Sequence, residues 1–326
     1  MPILLGVLER LRSIPGVTIR LEEPLAPHTR FGIGGCAAAL CEAADPSAFD
    51  ELFHFVRGQQ VPHVVIAGGT NLIVSDDGFD GAVLRFTGNR ITINGTRIHA
   101  EAGASLQSVV DASVGSGLKG MQTMTRIPGS LGAAVYGNAG AYGHSIQERV
   151  EQVVFTDGGE ERIVDNAGCE FHYRESLFKR RKEWIVLSAE LSFEPGDTIQ
   201  LQREAEEIRA IRDAKYPPTM RCAGSIFKNC LFNELPAAVQ VQIPQKLVRE
   251  GKVPSAYFLE QVGAKGMRRG DIQVAGYHAN LIYNDGAGTA EDLITVIEDL
   301  KKRVFDRFGF ALEEEVQYVG FEPVTV

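Results

Sequence analysis

Ile127-Pro128-Gly129-Ser130-Leu131-Gly132-Ala133-Ala134-Val135-Tyr136-Gly137-Asn138-Ala139-Gly140-Ala141-Tyr142-Gly143 runs for 17 residues with five glycines and no charge. As one helix it would lose roughly 1 kcal/mol at each interior glycine relative to alanine. It is also shorter than the ~20 apolar residues that cross a bilayer. Residues this small let a flat, bulky, uncharged ring lie against backbone, and a close-packed structural crossing would use the same composition. Nine of the 35 glycines fall between Gly103 and Gly143. Average usage of ~7% would put about 23 in the whole chain, so the surplus points to tight turns or to backbone brought near a ligand.

The remaining composition sets limits. A chain of 326 residues, 44% apolar, has material for a core and for two domains of ~150 residues each; disordered and fibrous classes drop out. Net charge is −9 and the pI is near 5.4, which argues against a nucleic-acid binder, since phosphate neutralisation needs a basic face. A local basic cluster could still serve an anionic small molecule. Five cysteines include no C-x-x-C and no paired ligand spacing, so Cys36/Cys41 and Cys222/Cys230 read as reduced thiols and no metal is expected. Pro2 to Leu8 is too short for a signal peptide and no stretch is long enough to span a membrane, leaving the cytoplasm as the default.

Local signals outline the elements. Asp45-Pro46 opens a helix with Phe49, Leu52, Phe53 and Val56 on one face. Val61 to Ala67 reads as a buried strand running into Gly68-Gly69-Thr70-Asn71, and Ala82 to Phe86 as a second. Asn94-Gly95 sits between Ile91–Ile93 and Thr96–Ala100 as a hairpin turn. Ser105 caps a helix; strands follow at 150–156, 161–164 and 184–193. After Pro195-Gly196 the texture changes. Residues 198–214 form a polar helix with Leu201, Ala205, Ile208 and Ile211 inward. Thr289 with Asp292 starts another as a capping box, with Leu293, Val296, Ile297, Leu300 and Val304 as its stripe. The pattern is mixed α+β, with a boundary near residue 196.

Three glycine signals compete. Gly32-Ile33-Gly34-Gly35-Cys36-Ala37-Ala38 contains G-x-G-x-x-A, but Glu22 to Pro27 is a poor strand, so the dinucleotide fingerprint lacks its context. Gly68-Gly69, directly after a strand, presents consecutive backbone N–H groups; such a nest binds a diphosphate without side-chain charge, and an ordinary tight turn uses the same residues. The segment from Ile127 is the third.

In order along the chain stand His28-Thr29-Arg30-Phe31-Gly32-Ile33-Gly34-Gly35, Ala67 to Leu72, Ile127 to Gly143, Tyr173-Arg174-Glu175-Ser176-Leu177-Phe178, Ala223-Gly224-Ser225-Ile226-Phe227-Lys228-Asn229, Gln273 with His278-Ala279-Asn280, and Glu315 to Gly320. Together they resemble the UDP-N-acetylenolpyruvoylglucosamine reductase (MurB) family. The resemblance implies an FAD-binding module of the vanillyl-alcohol-oxidase/PCMH type, two α+β subdomains over residues 27–196, after a leader at 1–26. An α+β substrate-binding domain would follow over 197–326.

It implies noncovalent FAD held by Gly68, Gly69, Thr70, Asn71 and Leu72 at the diphosphate. Ile127, Pro128, Gly129, Ala133, Ala134, Asn138 and Gly140 would lie along the ring, and NADPH would donate the hydride. Reducing an enolpyruvyl ether needs a hydride at the methylene carbon and a proton at its neighbour, with charge building on the carboxylate between. The family's arginine, proton donor and carboxylate fall on Arg174, Ser225 and Glu315. Each has an ordinary alternative: a surface salt bridge, a turn serine, a solvated strand start. Residues 208–230 carry Arg209, Arg212, Lys215, Arg221 and Lys228 against Asp213, a local +4. Tyr142, Tyr173, Arg212, Lys215, Lys228 and Asn229 are the substrate-binding residues the family implies, with His278 and Asn280 as further pocket candidates. The partner is then UDP-N-acetylglucosamine enolpyruvate, the protein a monomer, and nucleic acid and membrane are not partners.

Two departures stand out. Arg174 and Ser225 are 51 residues apart, as in a shorter subtype, yet Leu231 to Ser255 is longer than that subtype's connection, as a lid or a packing hairpin would be. A PCMH-type flavin oxidase of an alcohol or sugar is the alternative enzyme, and a flavin- or nucleotide-sugar-binding protein without turnover is the non-enzymatic one.

Overall fold

A computed structural model describes residues 2–321, with the backbone alone for 2–6. The chain separates into two compact units, each built from several segments. The first gathers Met1–Glu23, Ala37–Gly69 and Asp80–Pro218; the second gathers Pro24–Cys36, Thr70–Phe79 and Thr219–Val326. These units cut the chain elsewhere than the composition break at residue 196. The helix Thr198–Lys215 stays with the first unit because Leu201 and Ala205 join its core.

The first unit holds two sheets. In one, Val17–Pro24, Cys36–Ala43, Phe79–Phe86 and His63–Val65 lie in that order, the last two parallel. The helix Pro46–Gly58 starts where the Asp45 carboxylate accepts the Ala48 N–H at 3.0 Å, satisfying one of the unpaired donors of the first turn. Its Phe49, Leu52, Phe53 and Val56 are buried, as their spacing predicts. The other sheet is antiparallel, in the order Glu161–Asp165, Val150–Thr156, Ile185–Ser192, Arg97–Glu101, Ile91–Asn94. One buried cluster runs from Leu11 and Phe49 to Phe155, Phe178 and Leu191, so both sheets share an interior.

Several sequence expectations shift. Asn94 pairs with Arg97, so the hairpin turn is Gly95-Thr96 and not Asn94-Gly95. Gly95, at φ +59, takes the left-handed backbone that a two-residue turn requires. The strand expected over 61–67 shrinks to His63–Val65, half-buried. On the helix Thr198–Lys215, Ile211 is exposed and Ile208 half-buried; only the first turns reach the core, and charged contacts hold the last ones. The glycine-rich segment does contain a helix, Leu131–Tyr136, capped by Ser130. It survives because only Gly132 lies inside it, and a Cβ there would stand 2.8 Å from that of Ala102.

The second unit has its own core. Arg268–Arg269, Ile272–Val274 and Ile282–Asn284 make an antiparallel sheet, while Leu72–Val74 runs parallel to Gln317–Val319. The helix Ala290–Phe308 buries Leu293, Val296, Ile297, Leu300 and Val304. Thr289 caps it by accepting the Asp292 N–H at 3.1 Å. Asp292 does not close the expected box, since its carboxylate accepts from Arg269. Residues 231–255 form a closed excursion: Cys230–Leu231 pairs with Lys252–Val253, and Leu235, Val239 and Ile243 are buried in the unit's core. It is a packing segment.

The G-x-G-x-x-A stretch follows a single turn, Ala26–His28, and enters the strand Cys36–Ala43, the reverse of the strand-to-helix order a dinucleotide fingerprint needs. Its glycines serve packing instead, since a Cβ on Gly34 would stand 2.7 Å from Val74. The cysteines are free thiols. Among the described residues no group of three or more His, Cys, Asp or Glu could hold a metal, and no helix is long and apolar enough to cross a membrane.

Candidate active site

In the first unit, the turn His172–Glu175 is closed by reciprocal backbone bonds between its ends, His172 N–H to Glu175 at 3.0 Å and the reverse at 3.1 Å. Tyr173 and Arg174 occupy its tip, with Arg174 at φ +57. Few non-glycine side chains adopt that conformation, and it persists only where contacts impose it. Here they do. Arg174 donates to the Gly140 carbonyl at 2.9 Å and its guanidinium lies 5.2 Å from the Tyr173 ring centroid. Lys179 donates to the Arg174 carbonyl at 2.9 Å and to Glu175 at 2.7 Å. Ser176 donates to the Tyr136 carbonyl at 2.7 Å.

Asn138 completes this clamp. Buried and at φ +42, it donates to the His172 carbonyl at 2.8 Å and to Gln147 at 2.9 Å. Its side chain is thereby committed to the protein. The structure thus brings the ring-lining segment and the Tyr-Arg-Glu-Ser motif together as one body. Gly140 must be glycine, because a Cβ there would fall inside the His144 carbonyl.

Ile127, Gly129, Gly132, Ala133, Gly137, Ala139 and Gly140 are all half-buried, Pro128 is exposed, and Ala134 is buried behind them. An uncharged strip of small residues left partly open suits a flavin ring. The loop after His63–Val65 suits a diphosphate: Gly68 is exposed, Gly69 is left-handed at φ +60, and no cationic side chain intervenes before Asn71. The residues present therefore fit FAD.

Tyr142 is exposed at φ +54. Arg212 and Lys215 stand in the last turn of the helix Thr198–Lys215, both over the Tyr216 ring at 5.5 and 5.0 Å. The Arg212 Nε is buried with no acceptor among the described residues, a donor that an anion would satisfy. The local +4 is partly spent internally, because Arg209 faces Glu206 at 3.3 Å.

In the second unit, the segment carrying Ser225 lies between two others. Ser225 pairs with Leu281 on one side, and Phe227 pairs with Glu314 on the other. Glu315 N–H donates to the Ile226 carbonyl at 2.8 Å, so Ser225 and Glu315 sit on hydrogen-bonded neighbours. The three consecutive glutamates separate by environment. Glu313 pairs with Lys228, and Glu314 accepts from Lys301 at 2.6 Å and from the Tyr318 hydroxyl. Glu315 is half-buried, with its carbonyl accepting from the Asn71 amide at 2.6 Å. Thr70 is half-buried beside it, and Leu72 opens the strand that pairs with Gln317.

Two expected substrate residues look different in the fold. Lys228 is buried and ion-paired with Glu313, whereas Asn229 is exposed. Asn280, expected in the pocket, is buried. Its Oδ1 accepts from Phe227 N–H at 2.9 Å, and its amide donates to the Phe227 carbonyl at 2.8 Å and Ser255 Oγ at 2.7 Å. It braces the Ser225 segment from behind. Sequence reading missed this brace, the Asn71–Glu315 link and the pairing of Arg126 with Asp213; each joins residues far apart in the chain, and no local pattern announces them.

The sequence also matches known proteins. A model of the UDP-N-acetylenolpyruvoylglucosamine reductase C-terminal domain matches residues 216–319, and an FAD binding domain model matches residues 37–165. UDP-N-acetylenolpyruvoylglucosamine reductase of Solibacter usitatus (strain Ellin6076) is 55% identical over 311 residues, 95% of this chain and 100% of that protein. The like-named protein of Caldanaerobacter subterraneus subsp. tengcongensis is 34% identical over 309 residues, 92% of this chain and 93% of its own. Among solved structures, the crystal structure of UDP-N-acetylenolpyruvylglucosamine reductase (MurB) from Thermus caldophilus aligns with a TM-score of 0.72 at 25% identity, over 93% of this chain and 98% of that one.

Proposed function

The chain belongs to the UDP-N-acetylenolpyruvoylglucosamine reductase family, and we propose that Ser225, Glu315 and Arg174 carry its reaction. That reaction is the NADPH-dependent reduction of UDP-N-acetylglucosamine enolpyruvate to UDP-N-acetylmuramate, a step in making peptidoglycan precursors. FAD, when bound, supplies the hydride it has taken from NADPH. Gly68, Gly69, Thr70 and Asn71 would hold its diphosphate and the strip from Ile127 to Gly140 its ring.

The observation that carries the assignment is the register placing Ser225 and Glu315 on adjacent bonded segments. Ser225 is a weak acid in water, so its hydroxyl gives up a proton to carbon only beside groups fixed in advance. Glu315 acts with Arg174 at the intermediate that precedes protonation. Arg174, a permanent cation, binds the substrate carboxylate while charge accumulates there. Arg212 and Lys215 take the substrate diphosphate, an assignment supported by the orphan Nε of Arg212; Tyr142, Tyr173, Lys228 and Asn229 complete the substrate set. Functionally the chain divides into an FAD-binding part at 27–196 and a substrate part at 197–326. A monomeric, cytoplasmic enzyme belongs to the same reading; light scattering and cell fractionation test it.

Ser225→Ala tests the mechanism. NADPH should still bleach the flavin of the variant, while the enolpyruvyl substrate should fail to reoxidise it. Equal loss of both half-reactions would remove Ser225 as proton donor. Fast reoxidation of the unmodified enzyme by oxygen, without that substrate, would favour a flavin oxidase.

A further inference from the structure

The helix Leu131–Tyr136 ends in a Schellman motif: Ala139 N–H donates to the Ala134 carbonyl at 2.8 Å, and Asn138 N–H to that of Val135 at 3.3 Å. Glycine is the usual residue where Asn138 stands, because the position is left-handed, here at φ +42. An asparagine accepts strain that a glycine would avoid, so its side chain has a further task. The side chain is buried and spends both amide hydrogens inside the protein, on Gln147 Oε1 at 2.9 Å and on the His172 carbonyl at 2.8 Å. That same carbonyl accepts Glu175 N–H at 3.1 Å, one of the bonds that close the turn carrying Tyr173 and Arg174. Asn138 therefore holds the turn at its base, while Gly140, two residues on, accepts from Arg174 at its tip.

Strain gathers on the same two segments. Among the described residues eight non-glycine residues have positive φ, and four of them, Asn138, Tyr142, Glu170 and Arg174, lie between positions 138 and 174. Left-handed side chains persist only where surrounding contacts impose them, and they collect where function needs one fixed orientation. Arg174 has that need, since a two-point grip on a carboxylate requires its plane to be aligned. We propose that Asn138 is a positioning residue for Arg174: it anchors the base of the turn, so the guanidinium meets the substrate carboxylate already oriented. Its amide serves the turn and not the flavin ring along which its segment lies. The inference rests on the assignment of Arg174 to that carboxylate.

The test uses the FAD-loaded enzyme in stopped flow, with Tm and FAD affinity measured for each variant. Asn138→Gly deletes the amide and suits the left-handed backbone, so the helix end is disturbed least. Reoxidation of the reduced flavin by the enolpyruvyl substrate should slow about tenfold. Bleaching by NADPH and the Kd for FAD should stay within about twofold of the parent. Gln147→Ala is the control: it costs Asn138 one bond of the same kind and leaves the His172 bond in place. Its reoxidation should slow less than about threefold, and slowing equal to that of Asn138→Gly counts against the proposal. A double-mutant cycle shows whether the effect passes through Arg174. With Arg174→Met already present, Asn138→Gly should slow reoxidation less than about twofold further, whereas a general loosening of the fold would add its full effect. Full additivity, equal slowing of both half-reactions, or FAD binding weakened in step with reoxidation would overturn the proposal. Asn138→Asp covers the case of an Asn138→Gly that does not fold. It keeps the volume and tolerates left-handed backbone, loses both donated bonds, and should show the same split between half-reactions. Arg174→Met alone separates the two readings. If it leaves reoxidation by substrate unchanged, the Arg174 assignment fails and takes this proposal with it. If it slows that step while neither Asn138 variant does, only the proposal falls.

Discussion

The side-chain amide of Asn71 donates to the backbone carbonyl of Glu315 at 2.6 Å, across 244 residues of sequence. Gln317 N–H returns a bond to the Asn71 carbonyl at 3.0 Å. The loop proposed to hold the cofactor diphosphate and the carboxylate proposed to act on substrate are therefore neighbours in one hydrogen-bonded assembly.

Asn71→Ala removes the side-chain bond and keeps the backbone one. Losing it takes a hydrogen bond from a half-buried carbonyl, a cost of about 1–3 kcal/mol, and loosens the backbone of Glu315. Flavin reoxidation by the enolpyruvyl substrate should slow about tenfold, with bleaching by NADPH changed much less. Stopped-flow traces of the two half-reactions decide it, and equal slowing in both would disconnect Asn71 from Glu315.

Gly140→Ala forces a methyl group into the His144 carbonyl and moves the acceptor of Arg174. Overpacking of this kind costs about 1–3 kcal/mol. A Tm lower by several degrees and a greater loss of substrate reduction than of stability are expected. A variant with the parent's Tm and rate would show that the backbone between Gly140 and His144 has slack.

Asn280→Ala strips three bonds from a buried site; the Phe227 N–H loses its side-chain acceptor, and the Phe227 carbonyl keeps only the Ser255 hydroxyl at 3.4 Å. The expected loss is about 2–4 kcal/mol of unfolding free energy, measured by urea titration at unchanged m. Asn280→Asp keeps the acceptor toward Phe227 N–H and should fall between the two. Full stability of Asn280→Ala would mean that Ser255 and water replace the amide.

Thiol reactivity supplies a pH-dependent check. Burial pushes the Cys41, Cys169 and Cys230 thiols up to about 12, and raises Cys222 as well. The thiolate is the reactive form, so at pH 8 these four should react slowly in the native protein, and faster as pH climbs toward their raised values. Cys36 is exposed and should react first. Denaturant should release all five. Prompt native labelling of Cys41, followed by peptide mapping, would show that the first sheet opens.

Local chemistry was readable from the chain. Asp45 and Thr289 cap the helices they were expected to cap because a cap is decided within four residues. The turn at Gly95-Thr96 slipped by one from the expected pair because strand register depends on the partners across the sheet, not on the dipeptide. Ile211 looked inward by periodicity but lies where the helix has already left the core, so a stripe can be correct in spacing and wrong in reach. Ser225 and Glu315 came from family resemblance, and Asn280, expected at the pocket, has its side chain bonded to Phe227 and Ser255. Nothing local distinguishes a pocket amide from one that braces a strand; only the fold supplies Phe227 and Ser255 as its partners.

The parallel pairing of Leu72–Val74 with Gln317–Val319 also bears on how the molecule assembles. A strand near residue 72 must wait for one made some 245 residues later before its edge is covered, and distant pairings of this kind are slow to form. On the ribosome, at roughly 5–20 residues per second, that wait is of order tens of seconds. During it, Leu72, Ile73 and Val74 are an unpaired apolar edge, open to wrong partners. Glu315, the glutamate proposed to be catalytic, lies two residues before that closing strand, so on that proposal its position is fixed only when the late pairing forms, and synthesis order ties a late step of assembly to the gain of activity.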